Sequence, residues 1–215
     1  MAGSTVALAE PRPYELLHPM SALLIAGSPS ERSRSAALLD AVAQRLSVRG
    51  ALVDRIHIRD LSPQALLLAD FAHPTVVGAI DQVAQARVLV VATPVYKAAY
   101  SGVLKVFLDL LPQTALKGKV VLPLATGGSP HHMLALDYAL RPVLQSLGAK
   151  SILPGIYATD SQVALTPEGA YDLHADIAAR LDEAVNVLIT ETLRPPAAQT
   201  GRFAPVHFSQ VRCSV

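Results

Sequence analysis

Apolar residues recur along this chain in two alternating patterns. Largely unbroken apolar runs at residues 22–26, 88–92, 120–125 and 152–158 read as strands buried on both faces. Between them the spacing turns helical. Over residues 33–49, Leu38, Leu39, Val42 and Leu46 fall on one face and Gly50 closes the helix. Residues 75–86 form a second helix. Residues 101–111 form a third, with Val103, Leu104, Phe107, Leu108 and Leu111 on one side and Pro112 ending it. Further helices are expected at residues 132–147 and 171–193. Residues 52–58 instead alternate Val53, Ile56 and Ile58 with Asp54, Arg55 and His57, as an outer strand does.

Strand–helix alternation of this kind predicts an α/β fold, a doubly wound parallel sheet with helices on both faces and right-handed crossovers. The alternation leaves the strand order open. One domain is expected over residues 21–193, with an N-terminal extension at 1–20 and an extended tail at 194–215 carrying Pro195, Pro196 and Pro205. A strap across a neighbouring subunit is the alternative reading of that tail.

Composition narrows the function classes. Charged residues make up 16% of the 215 and apolar residues 51%, against about 25% charged in ordinary domains. Surface hidden in a homo-oligomer is the expectation; an Ala- and Leu-rich composition is the plainer one. A net charge of +1 gives no reason to bind nucleic acid or an anionic membrane, and it lacks the one-signed surface of a docking electron carrier. The single cysteine, Cys213, allows no disulfide within the chain. With no signal-peptide pattern and no apolar run of about 18 residues, the chain reads as cytoplasmic.

In doubly wound sheets ligands bind outside the carboxyl ends of the strands, and three loops fall there. Gly27-Ser28-Pro29-Ser30-Glu31-Arg32-Ser33-Arg34-Ser35 joins a buried strand to a helix N-terminus, where free N–H groups and the helix dipole favour an anion. Ser28, Ser33 and Ser35 add hydroxyls and Arg34 adds charge, a set that suits a phosphate. Neither GxGxxG nor GxxxxGK[ST] is present, which disfavours the dinucleotide and P-loop readings. A simple serine N-cap is the alternative. The second loop, Thr93 to Gly102, contains Pro94 and offers Tyr96 and Tyr100 as flat faces for a planar heterocycle, although tyrosines also pack locally. The third, Thr126-Gly127-Gly128-Ser129-Pro130, exposes bare backbone against which a ring can lie.

Other candidates are weaker. His131 and His132 point apart on a helix and lack further ligands, so no metal site is expected. Ser129, His131 and Asp137 lack the GxSxG elbow of a hydrolase. Pro142, inside the helical pattern of Leu134, Tyr138, Leu140, Val143 and Leu147, removes an N–H. It predicts a kink or a one-turn π-bulge near Tyr138.

The stretches GSPSERSRS, VVATPVYKAAYSGVLKVFLDLLPQTALKGKVVLPLATGG and LALDYALRPVL closely resemble the NADPH-dependent FMN reductases of bacterial alkanesulfonate utilisation. These are the flavin-supplying halves of two-component monooxygenases. The resemblance spans about residues 23–193. It implies a flavodoxin-like five-stranded sheet of order 2-1-3-4-5, FMN and NADPH as cofactor and substrate, and a dimer or tetramer. It further implies that Ser28, Ser33, Arg34 and Ser35 hold the FMN phosphate, while Pro94, Val95, Tyr96 and Lys97, with Thr126, Gly127, Gly128 and Ser129, border the ring. Tyr138 falls where the family carries a tyrosine on a π-bulged helix at the tetramer interface, a place for flavin exchange. Glu31 and Arg32 receive no role. The implied reaction is hydride transfer from NADPH to FMN, with reduced flavin passed to a monooxygenase and no catalytic side chain required. The alternatives are an FMN-bound quinone or azo reductase and a flavodoxin-like electron carrier without NADPH activity.

Overall fold

The structure, a computed structural model, describes residues 21–193. The expected extension at residues 1–20, the tail at 194–215 and Cys213 lie outside the described residues. The chain runs β1 (Ser21–Ala26), α1 (Arg34–Val48), β2 (Leu52–His57), α2 (Pro63–Leu67), α3 (Pro74–Gln85), β3 (Val88–Tyr96), β4 (Ala99–Tyr100) and α4 (Gly102–Asp109). It continues through β5 (Val120–Gly127), α5 (Arg141–Ser146), β6 (Ser151–Ile152), β7 (Ile156–Thr159), β8 (Val163–Leu165), β9 (Tyr171–Leu173) and α6 (Ala175–Val187).

The main sheet has the order β2-β1-β3-β5-β6, with β7 continuing beside β5. All these pairings are parallel. Counting β6 and β7 as one interrupted strand, this is the flavodoxin-like 2-1-3-4-5 order. The reversal of winding lies between β1 and β3, and in folds of this kind ligands bind outside the carboxyl ends of the strands at such a point.

Alternate side chains of each central strand feed two cores. Leu23 and Ile25 pack with Leu89, Val91, Leu104, Phe107 and Leu108 on one face. Ala22, Leu24 and Ala26 pack with Leu38, Val42, Leu46, Ile177, Leu181 and Val185 on the other. The period of two in the strands is thus matched to helices on both sides, which is why the strand sequences are apolar throughout.

Several elements differ from the sequence expectation. The second strand extends past Ala92 to Tyr96 because it folds back antiparallel onto β4. The third reaches Gly127 rather than ending at Ala125. The strand expected at 152–158 is divided into β6 and β7 at Pro154 and Gly155, where Leu136 packs so closely that a Cβ on Gly155 would lie 2.8 Å from its Cδ1. The helix expected from 171 begins instead with β9, paired antiparallel with β8, and α6 starts after the His174 cap.

The helix expected at 132–147 is composite. A 3₁₀ turn at Pro130–His132 leads into a π-helix over Ala135–Leu140. The Arg141 N–H reaches back to the Leu136 carbonyl, five residues earlier. Pro142 then falls in the first turn of α5, where its missing N–H costs no helical bond. The expected bulge is therefore present, in the turn that precedes the proline.

Candidate functional site

The first loop leaves β1 at Gly27, whose N–H donates to the Ala92 carbonyl at 2.8 Å. A Cβ at Gly27 would lie 3.0 Å from both that oxygen and Leu104 Cβ, so the close approach of β1, β3 and α4 calls for glycine. Ser28 accepts from the Ser30 N–H at 3.1 Å. Ser33 caps α1 by accepting from the Ala36 N–H at 3.1 Å, and its hydroxyl lies 3.3 Å from that of Ser35. Both the cap and the clustered hydroxyls expected here are present together.

The first turn of α1 contains no acidic residue. Its first residue is Arg34, a cation at the positive end of a helix, which is unfavourable unless an anion lies nearby. Arg34 is oriented by the β7–β8 region: its Nε donates to the Val163 carbonyl at 3.0 Å, and Nη1 lies 3.6 Å from the Asp160 carboxylate.

The second loop is tied to the first. Ser101 caps α4, donates to the Gly27 carbonyl, and accepts from the Leu104 N–H at 3.2 Å. Its own N–H donates to Thr93 Oγ1 at 2.9 Å. The turn from β3 to β4 passes through Lys97 and Ala98, both left-handed with φ of 51° and 64°. Neither is glycine, so this turn is strained. It leaves Tyr96 and Lys97 exposed and Pro94 and Val95 half-buried.

The third loop meets the second through the sheet, where Pro94 pairs with Thr126. A Cβ at Gly127 would lie 3.4 Å from Val95 Cβ and 2.5 Å from the Tyr157 hydroxyl. That hydroxyl donates to the Ser129 carbonyl at 2.6 Å. Burial holds the Tyr157 phenol above its ordinary value, with the Asp160 charge adding to the effect.

Among the described residues the buried polar side chains are Ser28, Ser35, Thr93, Ser101 and Thr126. Every one lies at the carboxyl ends of β1, β3 or β5, or at the adjoining start of α1 or α4. Hydroxyls are costly to bury, and their confinement to this rim marks it as a built polar site. Ser28, Ser33, Arg34 and Ser35 line the first loop, and Pro94, Val95, Thr126 and Gly127 lie side by side in the next two. Gly128 and Ser129 continue this rim.

Tyr138 stands apart on the π-helix, 79% exposed beside exposed Met133 and Leu134. The π-helix packs against β4 and β5. Arg141 fixes it by donating to Asp137 at 3.1 Å and to the Ile152 and Leu153 carbonyls, each at 3.3 Å. His131 and His132 join no cluster that could hold a metal among the described residues.

The sequence pattern does not single out Tyr157 or Asp160. A tyrosine inside an otherwise apolar strand signals a buried phenol that needs a partner, but its partner, the Ser129 carbonyl, is set by tertiary packing.

The arrangement fits a phosphorylated planar ligand. Hydroxyls and Arg34 lie at a helix start, and Gly128, where a Cβ would meet only Asp160 within 4 Å, offers bare backbone against which a flat ring can pack, while the corresponding space at Gly127 is taken by the Tyr157 hydroxyl. The sequence profile of the NADPH-dependent FMN reductase family matches residues 20–164. An Escherichia coli strain K12 protein named FMN reductase (NADPH) is 51% identical over 144 residues, covering 67% of this chain and 75% of the relative. A protein of the same name from Pseudomonas putida strain KT2440 is 54% identical over 145 residues, covering 67% and 74%. The crystal structure of an NADH:FMN oxidoreductase, EMOB, superposes with a TM-score of 0.71 at 43% identity, covering 78% of this chain and 87% of that one.

Proposed function

The chain belongs to the NADPH-dependent FMN reductase family, and from that premise we propose that it reduces FMN at the expense of NADPH. The observation that carries the reading is the concentration of buried hydroxyls and Cβ-free backbone along one rim of the sheet. In this reading Ser28, Ser33, Arg34 and Ser35 hold the FMN phosphate. Pro94, Val95, Tyr96 and Lys97, with Thr126, Gly127, Gly128 and Ser129, border the ring. The flavin supplies the two-electron chemistry when bound. The protein's own part is orientation. Ser101 and Thr93 lock the first two loops together, and Tyr157 fixes the third, so both reactants meet a pre-set surface.

The same reading makes the flavin exchangeable, delivered reduced to a monooxygenase in the cytoplasm. The exposed Met133, Leu134 and Tyr138 support a homo-oligomeric contact at the π-helix, dimer or tetramer, with Tyr138 governing flavin exchange. Among the described residues no helix is long and apolar enough to cross a membrane.

Stopped-flow NADPH oxidation by the flavin-stripped chain, with and without free FMN, tests the reading. Oxidation that depends on FMN and is sustained by it supports a reductase. Turnover only with a quinone or azo acceptor supports a retained-flavin reductase, and no NADPH oxidation supports an electron carrier. Parallel runs with NADH decide the nucleotide preference.

A further inference from the structure

We propose that Asp160 weakens the protein's hold on the phosphate of FMN, so that the flavin leaves readily; this rests on the FMN-reductase reading above. Asp160 follows β7 and its carboxylate meets both halves of the site. One oxygen lies 3.6 Å from Arg34 Nη1, and it would lie 3.7 Å from a Cβ placed on Gly128. It therefore stands between the phosphate loop and the ring-facing loop, half exposed. Apart from the exposed Glu31, the first loop and the start of α1 offer Arg32, Arg34 and hydroxyls to an anion, and Asp160 is a negative charge set directly against Arg34.

The pairing is competitive because of how Arg34 is moored. Its Nε is committed to the carbonyl of Val163, a fully buried residue. The guanidinium plane is thus fixed by backbone, and Nη1 faces either Asp160 or an incoming phosphate. Asp160 is not needed to position the side chain. It neutralises Arg34 in the empty site and repels a dianion entering it. Both effects lower affinity without touching the flavin ring.

The test is Asp160→Asn in the full chain, with FMN and riboflavin affinities measured by fluorescence titration and FMN release followed by stopped flow. FMN binding should tighten about three- to tenfold, the range expected for removing one partly solvated charge, and release should slow correspondingly. Riboflavin affinity should change by less than about twofold, because it has no phosphate for that charge to repel. The gain should shrink at high salt and be largely lost in the Arg34→Ala background. FMN affinity that is unchanged or weaker in Asp160→Asn, or equal shifts for both flavins, overturns the proposal. If Arg34→Ala weakens FMN selectively while Asp160→Asn does nothing, only the role of Asp160 fails. If the wild-type chain binds FMN no better than riboflavin, or neither flavin at all, the phosphate reading fails and the proposal with it.

Discussion

The phenol of Tyr157 donates to the Ser129 carbonyl at 2.6 Å while its oxygen fills the space where a side chain on Gly127 would begin. One residue on β7 thus shapes a loop that follows β5, and two consequences follow for Gly127 and Gly128. Tyr157→Phe keeps the ring and removes the hydrogen bond. It should cost about 1 kcal/mol of stability and weaken both FMN and riboflavin equally, since the loop borders the ring and not the phosphate. Denaturant midpoints and flavin titrations check this. Gly127→Ala should abolish flavin binding and be partly rescued in combination with Tyr157→Ala.

The same phenol makes an alkaline prediction. Burial first, then the Asp160 charge, raise its pKa above the ordinary 10.0. The neutral form is the one the fold favours. Its contribution is therefore complete below about pH 10 and is lost as the pH rises through the higher folded value. Stability measured by urea titration should decline above about pH 10, and the decline should be shallower in Tyr157→Phe. Tyr100, also raised by burial, contributes a remaining slope in that variant.

Ser101 ties the first two loops at one atom. Ser101→Ala removes the α4 cap and leaves the Gly27 carbonyl without its hydroxyl donor. A loss of about 2 kcal/mol is expected, together with weaker FMN binding as the phosphate loop loosens. A change below about 0.5 kcal/mol, the scale of ordinary surface substitutions, would show that the loops hold one another by packing alone.

The turn at Lys97 and Ala98 stores strain, since both are left-handed without being glycine. Ala98→Gly should relieve it and raise stability by a few tenths to about 1 kcal/mol, the gain being partly offset by the freer unfolded chain. Differential scanning of the two proteins decides the sign. A lowered midpoint would mean that this turn carries no strain at Ala98.

The residues themselves show which of these features the sequence makes legible. Leu38, Leu39, Val42 and Leu46 announce α1 by spacing, and Ser33 announces its start as a cap. Pro142 points to a distortion beside it, and a π-helix lies in the turn before it, whereas the π-helix at Leu188–Leu193, within the helix expected at 171–193, contains no proline and has no such signal. The extension of β3 to Tyr96 is not legible. It depends on β4 and on a turn through Lys97 and Ala98 that has none of the glycine or asparagine such turns normally carry. The β8–β9 hairpin is likewise hidden within what reads as the start of a helix. Tyr157 and Asp160 escape for a related reason: each acts on loops roughly thirty to over a hundred residues away in the chain, and local pattern carries no information on such contacts.

Cocrystallisation with FMN tests the central claim most directly. The account predicts phosphate oxygens within about 3.2 Å of the Ser28, Ser33 and Ser35 hydroxyls and the Arg34 guanidinium, with the ring against Pro94–Lys97 and Gly127–Gly128. An FMN whose phosphate lies away from the loop from Gly27 to Ser35 would contradict it.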